Sequence, residues 1–188
     1  MVTSLHEVAR VDTPLGPVLL RIREQNGNAT HMSIAVTIRD GDPQLPDGMR
    51  VDRCVVLDLS LAALDDGAVA YVELALEGDT AGSPETGEWL ESIAFEGAAA
   101  RINIATRDAA WMLSYGPDHD RVPVRLRADN ISPTNAAWRV AYTPRGLTVT
   151  TASLAKGEML NCPFAIAFVS APDVDPASTW FAVDGVLP

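Results

Sequence analysis

The most regular feature of this sequence is an alternation of hydrophobic and polar residues that recurs along the chain. In segment 31–39, Met32, Ile34, Val36 and Ile38 alternate with residues that are mostly polar. Successive side chains of a strand point to opposite faces of a sheet, so this period of two predicts a strand with one apolar face. The same pattern predicts ten or eleven strands, at 5–11, 17–24, 31–39, 49–60, 70–78, 101–107, 121–128, 137–142, 146–151, 164–170 and 179–183.

Turn-forming residues separate the predicted strands, and signals for helices are scarce. Segment 24–29 contains Asn-Gly between two alternating runs and therefore favours a β-hairpin. Short helices are predicted only within 60–67, which ends at a glycine, and within 83–93, which begins with Ser-Pro-Glu.

These patterns predict an all-β protein with about ten strands and one or two short helices. Strands with one polar face must cover their apolar face, and two packed antiparallel sheets do this most simply. We therefore expect an antiparallel β-sandwich, with jelly-roll or immunoglobulin-like connections, and a closed β-barrel is the alternative because it has the same alternation. No repeat or flexible linker divides the chain, so residues 1–188 are expected to form one domain.

The charge of the chain changes the expected partners. It carries 14 basic and 25 acidic side chains, for a net charge of -11, which is the wrong sign for binding nucleic acid. No apolar run reaches the length of a membrane span, and the first residues do not resemble a secretory signal, so we expect a cytoplasmic protein with no membrane partner. The preference for arginine over lysine is typical of high-GC bacterial coding.

The two cysteines fit the same compartment. Cys54 and Cys162 lie far apart in apolar segments, which predicts two buried free thiols in a reducing environment. The chain has three histidines, none near another, and lacks the nucleophile elbow, the phosphate-binding loop, the dinucleotide glycine fingerprint and paired zinc ligands. We expect no cofactor and favour a role without catalysis.

Asp118, His119 and Asp120 are the densest local cluster of potential metal ligands. A metal needs three or more ligands, and adjacent side chains cannot all point inward, so partners from elsewhere in the chain would be required. A solvated acidic turn is the alternative interpretation.

A group of arginines on predicted strands forms a second candidate site. A guanidinium group suits carboxylate or phosphate ligands. The competing explanations are cross-strand pairing with Glu73 and Glu77, or simple interspersing of charges on exposed strands. The arginines are Arg121, Arg125 and Arg127 on one strand, with Arg101 and Arg107 on another.

Two of the four tryptophans, Trp111 and Trp180, are candidates for a platform on which a sugar ring stacks. Burial in the core or at a subunit interface is the alternative. Segment 164–169 is apolar on both faces, so it is either a central strand under a covering element or an interface.

The hypothesis that the sequence favours is a non-catalytic β-sandwich that acts by binding or self-assembly, most simply as a symmetric homodimer. A carbohydrate or small-molecule binding module is the second hypothesis. A metal-assisted or carboxylate-based enzyme using the Asp118–Asp120 cluster is the third.

Overall fold

The computed structural model describes residues 5–24, 32–109, 122–123, 126, 136–170 and 174–188. In chain order, the described elements are β1 (His6–Thr13), β2 (Gly16–Glu24), β3 (Met32–Asp40), β4 (Arg53–Ala63), β5 (Ala70–Leu76), β6 (Gly82–Pro84), β7 (Leu90–Gly97), β8 (Ala100–Arg107), β9 (Trp138–Thr143), β10 (Gly146–Thr151), β11 (Met159–Val169) and helix α1 (Ala177–Val186). Within these ranges no helix is long and apolar enough to cross a membrane.

The strands form two antiparallel sheets. Sheet A has the order β1-β2-β5-β10-β9, and sheet B has the order β3-β4-β11-β8-β7-β6. Every described pair of neighbouring strands is antiparallel. The predicted all-β sandwich is therefore confirmed, and the two sheets do not close into a barrel.

The main core lies between the two sheets and follows the period of two. On β4, Leu57, Leu59 and Leu61 face this core, where they meet residues such as Leu74 of sheet A, and each of the four is at most 1% exposed. Burial of apolar surface contributes about 25 cal/mol per Å² to the free energy of folding. The inward-facing row of each strand supplies apolar surface that is buried between the sheets.

Strand β11 is buried on both of its faces. Phe164 and Ile166 point into the core between the sheets. Ala165 and Ala167 point the other way and form a second apolar cluster with α1, which contributes Val183. Of the two interpretations of this doubly apolar segment, the central strand under a covering element is confirmed, and the interface is wrong.

The position of the helix is the main difference from the sequence-based expectation. Helix α1 forms at Ala177–Val186, where alternation predicted a strand over 179–183. The aromatic and β-branched residues there favour a strand locally, but the helix is set by packing against the alanine surface of β11. The short helices predicted within 60–67 and 83–93 are wrong, because β4 extends to Ala63 and β6 and β7 occupy much of the second range.

The hairpin predicted at 24–29 is also wrong. Strand β2 pairs with β1 and β5 in sheet A, whereas β3 pairs with β4 in sheet B, so the strands on either side of this segment belong to different sheets. The connecting residues 25–31 lie outside the described residues. A local turn signal does not report which strands pair, because pairing depends on matching apolar rows that are distant in sequence.

One arginine attaches the end of α1 to sheet B. The side chain of Arg107, at the end of β8, is only 10% exposed. Its guanidinium donates to the Asp184 carboxylate at 2.6 Å and to the backbone carbonyls of Asp184, Leu187 and Pro188 at 2.8, 3.2 and 3.0 Å. The last carbonyls of a helix have no partner within the helix, so Arg107 satisfies groups that burial would otherwise penalise.

We predict that replacing Arg107 with methionine lowers the free energy of unfolding by about 2–3 kcal/mol, because hydrogen bonds to a charged group at a buried site are lost. Urea denaturation followed by circular dichroism measures this change. Arg10→Met is the matched control, because Arg10 forms an ion pair with Asp12 in which the two side chains are 53% and 79% exposed. An exposed pair of this kind contributes less than about 1 kcal/mol to stability. Equal losses in the two variants would contradict the role of Arg107.

Candidate functional site

Most of the sequence-predicted site residues lie outside the described residues. These are the metal candidates Asp118, His119 and Asp120, the arginines Arg121, Arg125 and Arg127, and Trp111. Their proposed roles stay predictions. Within the part of the chain that the structure describes, no group of three or more histidine, cysteine, aspartate or glutamate side chains is placed to hold a metal ion.

Trp180 is the one candidate of the sugar-binding hypothesis whose surroundings are described. It lies on α1, where its indole Nε1 donates a hydrogen bond to the Glu85 carbonyl at 3.2 Å. Its ring packs edge-to-face against Phe181, with centroids 5.2 Å apart, and it is partly buried against the second apolar cluster. The hydrogen bond to Glu85 and the packing in the second apolar cluster attach α1 to sheet B, whereas the contact with Phe181 lies within the helix. Stacking of a sugar on Trp180 stays a prediction.

The predicted pairing of Arg101 and Arg107 with Glu73 and Glu77 is wrong in its partners. Glu73 lies on β5 of sheet A and Glu77 follows the end of that strand, and both form ion pairs with Arg21, the one with Glu73 at 3.4 Å. Arg101 and Arg107 belong to β8 of sheet B and turn towards α1. Both guanidinium groups therefore pair within the chain. Their partners depend on which sheet each strand belongs to, and strand parity does not predict that.

A group of buried and partly buried polar side chains lies between α1 and sheet B. We define it as the polar cluster, consisting of Arg101, Asn103, Glu85, Ser92 and Thr179. Asn103 is fully buried and donates to the Glu85 carboxylate at 2.9 Å and to the Ser92 hydroxyl at 3.0 Å. The Thr179 hydroxyl donates to the side-chain amide oxygen Oδ1 of Asn103 at 2.6 Å, and Arg101 contacts both Glu85 and Thr179. The hydrogen bonds hold the first turn of α1 on the sheet.

The polar cluster borders an open pocket of about 230 Å³ at the start of α1. Arg101 forms ion pairs with both Glu85 and Glu96, so its positive charge is compensated within the chain. A pocket whose charged groups already bind each other does not indicate an anionic or cationic ligand. The pocket is lined by Glu96, Gly97, Ala100, Arg101, Val169, Val174 and Pro176.

The two thiols are free and buried, as predicted. Cys54 lies beneath α1, with its sulfur 3.7 Å from the Ala182 carbonyl oxygen, whereas Cys162 lies in the core between the sheets. Burial raises the pKa of Cys54 from 9.0 to about 11 and the pKa of Cys162 to about 12. Because the thiolate is the reactive form, neither sulfur is an activated nucleophile near neutral pH.

The last described feature is the open edge of sheet B, which we call the β3 edge and define as residues Met32–Asp40. In the described part of the chain β3 pairs only with β4, and seven of its nine residues are exposed. Ile34 and Ile38 face the same side as the core residues of β4, yet they are 37% and 49% exposed. Sheet A has five strands against six in sheet B, and this apolar row of β3 is left only partly covered.

The other described sheet edges carry features that oppose pairing with another chain. Strand β1 has an irregular register after Glu7 and exposes the charged residues Arg10 and Asp12. Strand β6 has only three residues and ends in Pro84, and β9 exposes Arg139. Charges, proline, bulges and short length all protect an edge. In contrast, the stretch 32–38 of β3 contains no charge, proline or glycine.

Sequence reasoning predicted β3 as a strand but missed that its apolar face would be exposed. The signal for this was present in the uncharged stretch 32–38, which has the composition of an unprotected edge.

Comparisons with protein-family models, curated proteins and solved structures found no match for this chain. The argument about function therefore depends on the geometry of these described surfaces.

We predict that neither thiol reacts rapidly with Ellman's reagent in the folded protein at pH 8, and that two react in urea. Because both pKa values are raised in the fold, the unfolded chain releases the thiol protons first as the pH rises above 9.0. The free energy of unfolding therefore falls between pH 9 and about 11. Rapid modification of one thiol in the folded protein would contradict this assignment.

Proposed function

We propose that this protein acts without catalysis, by self-assembly into a homodimer through the β3 edge. The observation that carries the proposal is an edge strand that pairs only with β4 in the described part of the chain, with an uncharged stretch 32–38 and a half-exposed apolar row at Ile34 and Ile38. A free edge presents unpaired backbone N–H and C=O groups, and a second strand can satisfy them while covering the apolar row. Pairing of the two strands therefore satisfies the free backbone groups and buries the exposed apolar row at the same time.

The absence of charge in the stretch 32–38 allows a second copy of this chain to occupy the β3 edge. With a net charge of -11, two copies that meet through most surfaces bring acidic groups together. The stretch 32–38 carries no charge, so two copies meet there without that repulsion. A two-fold interface uses the same patch on both subunits, and the second copy supplies a free strand edge and a matching apolar row.

We further infer a cytoplasmic location, and the two thiols support it. Cys54 and Cys162 lie on opposite faces of sheet B, so they cannot form a disulfide with each other. A chain that keeps two unpaired cysteines fits a reducing compartment, where disulfides are rare. Dimerisation in that compartment then depends on noncovalent contacts at the β3 edge.

We predict a concentration-dependent dimer, measured by light scattering over about 1 μM to 1 mM, a range that includes weak interfaces. Ile38→Arg weakens the dimer at least about tenfold, since it places an arginine from each copy in an apolar contact. Phe181→Arg is the matched control, because Phe181 on α1 is also half-buried, at 38% exposure, and lies outside the β3 edge. This control variant keeps the dissociation constant of the unmodified chain.

The folding of the variants separates assembly from stability. Ile38 is 49% exposed, so Ile38→Arg leaves the circular dichroism spectrum unchanged and the free energy of unfolding of the monomer within about 0.5 kcal/mol. An unmodified protein that is monomeric over the whole concentration range would overturn the proposal. A dimer that Ile38→Arg and Phe181→Arg weaken equally would also overturn it.

A further inference from the structure

We infer that the two copies pair their β3 strands antiparallel about a two-fold axis at Val36, with Ile34 of one copy opposite Ile38 of the other. This inference rests on the proposed function and adds the geometry of the partner. The pairing joins the two six-stranded B sheets edge to edge into one continuous sheet. The inference is based on the residue pattern of β3 and on which of its residues are buried, exposed or paired in the fold.

The central residues of β3 are symmetric about Val36. Ile34 and Ile38 lie two positions on either side of it, with Ala35 and Thr37 between them. Directly opposed residues of an antiparallel pair point to the same face of the sheet. Pairing about Val36 therefore keeps both apolar rows on one face, whereas a slip by one residue would place an apolar row against the polar row of the other copy.

The ends of β3 select this register over its neighbours. A shift towards the start of the strand places Ile38 opposite Met32, which is 6% exposed and already packed in the core. A shift towards the end places Asp40 opposite Ile34, which brings a carboxylate next to an apolar side chain. Pairing about Val36 brings the two exposed isoleucines together. It places Asp40 opposite Met32 of the other copy only at the last pair of the strands, where the Asp40 carboxylate is 72% exposed and binds Arg53 at 2.8 Å.

The charged residues at the end of β3 do not repel one another in this register. Arg39 lies opposite Ser33 of the second copy, so no acidic residue of one β3 strand faces an acidic residue of the other. Arg39 also binds Asp58 of its own β4 at 3.3 Å, which compensates its charge. The central five residues form a contact about 17 Å long. Because an interface of this length is smaller than a standard protein interface, we expect a reversible dimer.

Single cysteine substitutions test the register directly. In this pairing Val36 is the only position of the apolar row that lies opposite itself, at a Cα–Cα distance of about 4.5–5.5 Å, which suits a disulfide. We expect Val36→Cys to form a disulfide-linked dimer with oxidised glutathione, which accepts the two electrons and protons of the thiols. Ile34→Cys and Ile38→Cys each place their sulfurs about four residues apart along the strands, or about 14 Å, and stay uncrosslinked.

The double variant Ile34→Cys with Ile38→Cys provides a positive control, because each new thiol then faces the other position in the second copy. The unmodified chain is the negative control, since Cys54 and Cys162 are buried. A noncovalent dimer that crosslinks at Ile34→Cys or Ile38→Cys instead of Val36→Cys overturns the register and leaves the proposed function intact. If the unmodified protein is a monomer by light scattering, the proposed function itself fails.

Discussion

The constraint on which the structure depends is that β11 carries apolar side chains on both faces. Phe164 and Ile166 require cover on one side, and Ala165 and Ala167 require it on the other. Sheet A supplies the first cover and α1 supplies the second. The small alanine side chains allow the helix to approach the sheet closely, and the polar cluster and Arg107 hold its two ends there. The molecule is thus a sandwich with a third, helical layer.

The same arrangement explains why the β3 edge stands apart. The central strands of sheet B lie between two covering layers, but β3 is at the margin, where its inner row is only partly covered. Elsewhere in the described structure, sheet edges are short, irregular or charged. The stretch 32–38 of β3 lacks these features. Such an edge is prone to pair with another chain, and the proposed pairing with a second copy would remove the exposure.

Alternation predicted the fold class well because burial between two sheets imposes it on the strands, as the alternating burial along parts of β4 and β5 illustrates. It failed for α1, where Thr179, Trp180 and Phe181 favour a strand but the segment packs as a helix against β11 and β8. It also failed for the partners of Arg101 and Arg107, since the sheet to which a strand belongs depends on distant pairing. For the β3 edge, the alternation predicted that Ile34 and Ile38 lie on the same face of the strand. Their exposure to solvent depends on the position of β3 in the sheet, and no local sequence pattern contains the strand order.

The central claim is that the backbone of β3 pairs with a second copy, and hydrogen exchange at two protein concentrations tests it most directly. The account predicts that amide exchange within 34–38 slows as the concentration rises from about 1 μM to about 1 mM, while exchange in the edge strand β1 stays the same. Exchange in β3 that is independent of concentration, or added protection at another edge instead, would contradict the account.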